Sequence, residues 1–177
     1  MTTTSPQALV PFSRSTSVII HATGLLAFVA SCLWIPRITN PLHRGFGGSY
    51  QFLTIIGLTI STMTFAVGFL ADIFRSERLS TLKTVLSLIA TPLEVLIGIL
   101  YWSLHIIDKS LVVPPGHELP LIPNLGFHGM PAIMLTLDLL LLSTPWSIQL
   151  RGALALGLTL PCSYLCWLEF CFSRNQW

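Results

Sequence analysis

The sequence predicts an all-α, polytopic transmembrane helix bundle. Three observations carry that reading. First, 53% of the 177 residues are hydrophobic and only 9% are charged, against about 25% charged in soluble domains. A water-soluble fold of this composition would lack polar surface. Second, five apolar runs are each long enough to cross a hydrocarbon core. Third, the segments outside them gather most of the charged residues. The formal charge of +2, with no basic cluster, suggests no nucleic-acid partner. The partner this composition does imply is the lipid bilayer.

Residues 1–13 are rich in Thr, Ser and Pro and read as a disordered tail, so 14–177 form a single transmembrane domain. Span 1 is about 15–36, free of Asp, Glu, Lys and Arg. A signal peptide is the competing reading. The length of the run, His21 within it and the membranous segments after it argue against that. Loop 1 carries Pro41, His43, Arg44 and the turn-forming Gly47-Gly48. Span 2 is about 50–71, and loop 2, from Asp72 to Lys83, is short and charged. Span 3 is about 84–107. Loop 3, from Asp108 to Phe127, has four prolines yet also Leu111-Val112-Val113 and Leu119. Such a loop folds back over the bundle as a lid more readily than it extends into water. Span 4 is about 128–146, with Pro131 suited to its first turn. Span 5 is about 152–172.

Arg14, Arg75, Arg78, Lys83 and Arg151 fall on the N-terminal side of this layout, and Arg37, Arg44, Lys109 and Arg174 on the other. The bias places the N-terminus in the cytosol, in an endomembrane or the plasma membrane. Cys32, Cys162, Cys166 and Cys171 lie in apolar runs without CxxC spacing. They read as small buried thiols rather than metal ligands or disulfides.

Three acidic residues, Glu94, Asp138 and Glu169, lie inside the spans. Ionisable groups at membrane depth are costly unless paired or turned into the bundle, so all three are expected to face inward. Span 3 has the clearest pattern. Ser87, Thr91, Glu94, Gly98, Tyr101, His105 and Asp108 recur at helical spacing and share one face. They make either a hydrogen-bonded packing seam or a proton or substrate path. Span 2 carries a stripe of small residues, Thr54, Gly57, Ser61, Thr64 and Gly68, which lets helices approach closely.

In this topology loops 1 and 3 share a side. Thr54, at the start of span 2, and His128, at the start of span 4, then lie at similar shallow depth. His105 and Glu169 lie toward the same side. Asp138 is about 15 Å deeper than His128 and about 80° round the helix, out of its reach. A hydroxyl beside a histidine is the minimal nucleophile–base pair. The bland alternatives are a threonine bonded to its own helix and a histidine in an ordinary polar contact.

Two blocks of sequence bear on that choice. Phe46-Gly47-Gly48-Ser49-Tyr50-Gln51-Phe52-Leu53-Thr54 resembles the Gly-Gly-x-x-x-x-Leu-Thr entry to the second span of the androgen-induced protein and androgen-dependent TFPI-regulating protein family. Asn124-Leu125-Gly126-Phe127-His128-Gly129-Met130 resembles that family's His-Gly-Met entry to a later span. The resemblance runs from about residue 20 to the end of the chain. It implies a membrane threonine hydrolase that cleaves fatty acid esters of hydroxy fatty acids, with Thr54 as nucleophile and His128 as catalytic histidine. Where the family usually has Asn before His-Gly-Met, this chain has Phe127, so any role of that Asn is absent or moved to Asn124. Members usually have six spans and five are visible here. The chain therefore reads as a truncated member whose activity depends on whether the sixth span matters.

The expected function is hydrolysis of a long-chain lipid ester. Thr54 attacks, His128 takes the proton, and backbone N–H groups near Gly129 are the candidate oxyanion donors. Glu94, His105, Asp138 and Glu169 are candidate binding residues. No metal or other cofactor is implied. The rival readings are a proton-coupled carrier built on Glu94, Asp138 and Glu169, and a non-catalytic lipid-binding scaffold.

Overall fold

Ser13 opens the first helix. Its Oγ accepts the Thr16 N–H at 3.3 Å, which satisfies one of the orphan donors of a helix start. The computed structural model describes residues 13–38, 41–113, 115–142 and 150–176, and all regular structure among them is helical. The expected N-terminal tail falls almost wholly outside the described residues. The helices are α1 (Arg14–Trp34), α2 (Leu53–Phe74), α3 (Glu77–Ile107), α4 (Leu121–His128), α5 (Met130–Leu141) and α6 (Leu150–Asn175).

α1, α2 and α3 are each long and apolar enough to cross a membrane. α4 and α5, bent by 43° at Gly129, together make a fourth such unit. α6 lies where the fifth span is expected. The helical bundle is thus the architecture the composition called for.

The boundaries differ in three instructive places. α3 starts at Glu77, well before Thr84. Ser76 caps it, with its Oγ accepting from the Leu79 N–H at 3.4 Å, and Glu77 lies in the first turn where a carboxylate suits the helix dipole. Lys83, expected in loop 2, is therefore inside the helix and buried. α2 starts at Leu53, because Gly48–Gln51 form a separate 3₁₀ turn. The apolar end of loop 3 is itself the helix α4. His128 therefore closes one helix at a break instead of opening a span, and Pro131 occupies the first turn of α5. The expected end of span 4 lies outside the described residues.

α2 packs between α1 and α3, α5 lies against α3 and α1, and α4 touches α1, α2 and α3. The core joins Phe28, Ile55, Leu58, Phe65, Ala90, Phe127, Met134 and Leu135. Phe28 and Phe65 meet edge to face at 5.0 Å between ring centroids, the geometry that aromatic quadrupoles favour.

α6 meets the rest of the chain at the entrance to α2. The Tyr164 hydroxyl donates to Gln51 O at 2.8 Å and Trp167 Nε1 to Tyr50 O at 2.9 Å. Asn175 closes a ring with the Phe46 backbone, donating to its carbonyl at 3.1 Å and accepting from its N–H at 2.6 Å. These anchors lie along one stripe of α6 with Cys171. Glu169 is on another face and is exposed, so the expectation that it points inward is wrong. A single docking stripe cannot cover the whole circumference. For the same reason Cys162 and Cys166 are exposed thiols and not buried ones, while Cys171 is buried.

Gly47 sits where the entrance touches α6. Its φ is +89°, and a Cβ there would lie 2.7 Å from Cys171 Sγ and 2.9 Å from Gln51 Cγ. Gly48 also has positive φ, +52°, but its nearest neighbour would be a comfortable 3.6 Å away. Gly48→Ala is expected to cost about 1–2 kcal/mol, the left-handed penalty alone. Gly47→Ala is expected to cost more, because strain and overlap add. Thermal unfolding of the two variants in detergent compares them. Equal losses would remove the role given to the Cys171 contact.

Candidate active site

Thr54 is in the first turn of α2. Other hydroxyls on that helix turn back on it. Thr59, Ser61, Thr62 and Thr64 each donate to the carbonyl four residues earlier, at 2.7–2.8 Å. Thr54 does not, because its fourth predecessor, Tyr50, lies in the 3₁₀ turn and its carbonyl accepts from Trp167. Among the described residues the Thr54 side chain makes no hydrogen bond, and it is partly exposed. The Leu53 and Thr54 N–H groups make no backbone hydrogen bond either, as expected for the start of a helix. Close by, His43 stacks on Phe52 at 4.7 Å, with Nδ1 2.7 Å from Ser49 Oγ. Burial pushes its pKa below the ordinary histidine value, so it is neutral at neutral pH.

His128 ends α4. Its Nδ1 lies 2.9 Å from Asn124 Oδ1 and 3.2 Å from Asn124 O. Both are acceptors, so Nδ1 carries the proton and Nε2 has the free lone pair. The ring is stacked face to face on Tyr101, 3.5 Å between centroids and 5° from parallel. The His128 carbonyl accepts from Trp102 Nε1 at 3.0 Å. Asn124 and Tyr101 are both buried. The imidazole is thus fixed in tautomer by one neighbour and in plane by the other. Asn124 holds His128 from one helical turn back.

The buried stretch of α3 brings these parts to one level. Glu94 is 1% exposed, and its Oε1 accepts from Ser61 Oγ at 3.1 Å. A Cβ on Gly57 would come within 2.6 Å of the same oxygen. The small-residue stripe on α2 therefore makes room for a carboxyl as well as for helix packing. One turn further, a Cβ on Gly98 would lie 3.2 Å from His128 O. The α2 start and the α4 end thus flank neighbouring turns of α3, and α2 touches α4 directly.

Beyond Tyr101 on the same face, His105 lies nearly parallel to its ring at 5.5 Å. A cavity of about 180 Å³ opens beside them. His105 Nδ1 and the Ser87 and Thr91 hydroxyls are buried without a hydrogen-bond partner among the described residues, and the buried Tyr101 hydroxyl has no acceptor for its proton there. Each such group costs about 1–3 kcal/mol while it stays unmatched. The Gly129 N–H, a candidate oxyanion donor from the sequence, is not free. It donates to Leu125 O at 2.9 Å, because Gly129 caps α4.

Asp138 belongs elsewhere, as its depth requires. It joins a charged cluster at the opposite end of the bundle. Asp138 Oδ2 is 2.6 Å from Lys83 Nζ, and Oδ1 is 3.0 Å from His21 Nε2. The other ring nitrogen, Nδ1, is 2.7 Å from Asp72 Oδ2, which also accepts from Ser17 Oγ at 2.7 Å. Arg14 donates to the Asp72 and Ile73 carbonyls. The cluster ties α1, α2, α3 and α5 together. Of its members, sequence reading singled out only Asp138 as a site candidate. His21 and Asp138 are 117 positions apart, and no local spacing links them.

Residues 16–177 match the FAR-17a/AIG1-like protein family. The chain belongs to that family. A UPF0641 membrane protein of Schizosaccharomyces pombe is 32% identical over 167 residues, covering 93% of this chain and 75% of that protein. The androgen-induced gene 1 protein of Homo sapiens is 26% identical over 173 residues, covering 85% of this chain and 71% of that protein. No solved structure matches. The FAR-17a/AIG1-like match takes in the whole helical bundle from α1 to α6. Its relatives and its three long apolar helices make this family member a membrane protein.

Proposed function

We propose that this FAR-17a/AIG1-like protein hydrolyses long-chain lipid esters within the membrane, those of hydroxy fatty acids in particular. Thr54 is the nucleophile and His128 the base. The observation that carries the reading is the seating of His128. Its Nδ1–H is held by Asn124 and its ring by Tyr101, which leaves Nε2 as a proton acceptor. The unbonded Thr54 hydroxyl at the positive end of a 22-residue helix supports it from the other side. The resemblance of both sequence blocks to threonine hydrolases supplies the substrate class.

In the reaction, Nε2 takes the hydroxyl proton as Thr54 Oγ1 attacks the ester carbonyl. The Thr54 N–H, which makes no backbone hydrogen bond, is the candidate donor for the oxyanion, while the Leu53 N–H is engaged by the Tyr164 hydroxyl oxygen. The tetrahedral intermediate collapses, and the imidazolium returns its proton to the departing alkoxide. Water, deprotonated by the same nitrogen, then releases the fatty acid from Thr54. Exposed Tyr50, Leu121, Ile122 and Leu125 offer acyl chains an apolar approach from the bilayer.

Purified protein in detergent micelles tests this directly. Ester turnover is expected there, and a carrier would show none without a sealed compartment. A fluorophosphonate probe should label the wild type, and Thr54→Ala should abolish both labelling and turnover. Thr54→Ser keeps the hydroxyl and should retain labelling. Undiminished labelling of Thr54→Ala would exclude the mechanism.

A further inference from the structure

The cavity beside Tyr101 plays no part in the steps above, yet its walls are specific. At its inner end are the Tyr101 hydroxyl, 92% of whose residue surface is buried, together with His105 and Asn124. The exposed Lys109, Glu118 and Leu121 line it as well. Tyr101 and Lys109 are hydrogen-bond donors in this setting, because Asn124, whose Oδ1 faces His128, turns its amide N–H toward the Tyr101 oxygen and leaves the hydroxyl proton without an acceptor. Unmatched buried donors facing a cavity call for an oxygen acceptor.

We propose that this cavity binds the carboxylate of a long-chain lipid. On the hydrolase reading, on which this clause rests, that group is the free carboxylate of the ester substrate. Charge selects the ligand class. Lys109 brings one positive charge and Glu118 one negative, so the walls suit a monoanion better than a phosphate dianion. Asp108, next in sequence, does not compete. Its carboxylate accepts from the Ser110 N–H and hydroxyl, both at 2.8 Å. Size selects the part of the ligand that enters. About 180 Å³ holds a carboxylate and a few methylenes, since a water alone takes about 30 Å³. The remaining chain would lie along exposed Leu121 and Ile122, 67% and 82% accessible. Position links the cavity to the chemistry. The Tyr101 ring has His128 stacked on one face at 3.5 Å, and Tyr101 also lines the cavity. A carboxylate there anchors a substrate whose ester sits a few bonds away.

The test uses a matched pair of substrates in micelles, a hydroxy-fatty-acid ester with a free carboxylate and its primary carboxamide. Wild-type protein is expected to show a KM about tenfold lower for the acid, the worth of one charge-assisted hydrogen bond. Lys109→Ala should raise the acid's KM until the two substrates are alike. Glu118→Gln should widen the preference, and Tyr101→Phe, which keeps the ring, should narrow it. Equal KM values in the wild type, or a Lys109→Ala loss shared by both substrates, would overturn the proposal. A binding arm separates its failure from that of the hydrolase reading. Oleate, oleamide and a lysophosphatidic acid compete for photolabelling by a diazirine fatty acid on the same protein. Competition by oleate alone, weakened in Lys109→Ala, sustains the carboxylate site even if no ester is turned over. Equal competition by oleamide, or stronger competition by the lysophosphatidic acid, refutes it.

Discussion

His128→Ala is expected to lower kcat for ester hydrolysis by about 10²- to 10⁴-fold, the usual worth of a positioned general base. The loss should appear equally in kcat/KM, because the proton transfer exists only in the transition state. Removing the ring also removes a stacking partner of Tyr101, so activity alone is a weak readout. Added imidazole should restore part of the rate in the alanine variant, and a merely structural histidine would give no such rescue. Asn124→Leu should act on the same step more mildly. It removes the Oδ1 acceptor but leaves the Asn124 carbonyl at 3.2 Å from Nδ1, so the correct tautomer is favoured less strongly without being lost. A fall of about tenfold, with KM little changed, fits a residue that positions the base. If His128→Ala keeps wild-type turnover, Nε2 is not the proton acceptor.

How much of this was readable beforehand depends on the range of each interaction. Helix periodicity is local, so the buried face of α3 from Ser87 through Glu94 to Tyr101 could be read from spacing alone. The contact between α2 and α4 agrees with an order of spans that puts the start of span 2 and the start of span 4 at one end of the bundle. The break at Gly129 is not legible, because Asn124 to Met130 reads in sequence as loop giving way to span. The proline-rich character of loop 3 masked a helix that starts immediately after Pro120. Asn124 acts through one helical turn, a relation that becomes visible only once residues 121–128 are known to be helical. Glu169 was misplaced because burial was inferred from cost alone. An exposed face of α6 is an equally good solution that sequence does not exclude. Lys83 was misassigned for the opposite reason. A lysine near a span end normally marks water, and the distant Asp138 holds it inward.

Asp138→Leu is expected to be the most destabilising single change at the loop-2 end of the bundle. It leaves Lys83, 6% exposed, without the carboxylate 2.6 Å away. It also leaves His21 Nε2 without its acceptor. Each His21 nitrogen faces a carboxylate oxygen, and Lys83 brings its ammonium to the same Asp138, so the carboxylates of the buried cluster are held by facing partners. Removing one member uncovers a charge, which costs about 3–5 kcal/mol in a buried pair. On the scale of domains this size, that is a fall of about 10 °C in the unfolding midpoint. Lys83→Met should lose a similar amount. The double variant decides whether pairing is the cause. If Lys83 and Asp138 exist chiefly to neutralise one another, Lys83→Met/Asp138→Leu should be more stable than either single variant, since an ion pair replaced by packed apolar side chains is often neutral. His21 would then keep Asp72, at 2.7 Å, as its remaining carboxylate. Strictly additive losses in thermal unfolding would show instead that each side chain is needed for packing, and the electrostatic account of the four-helix junction would fall.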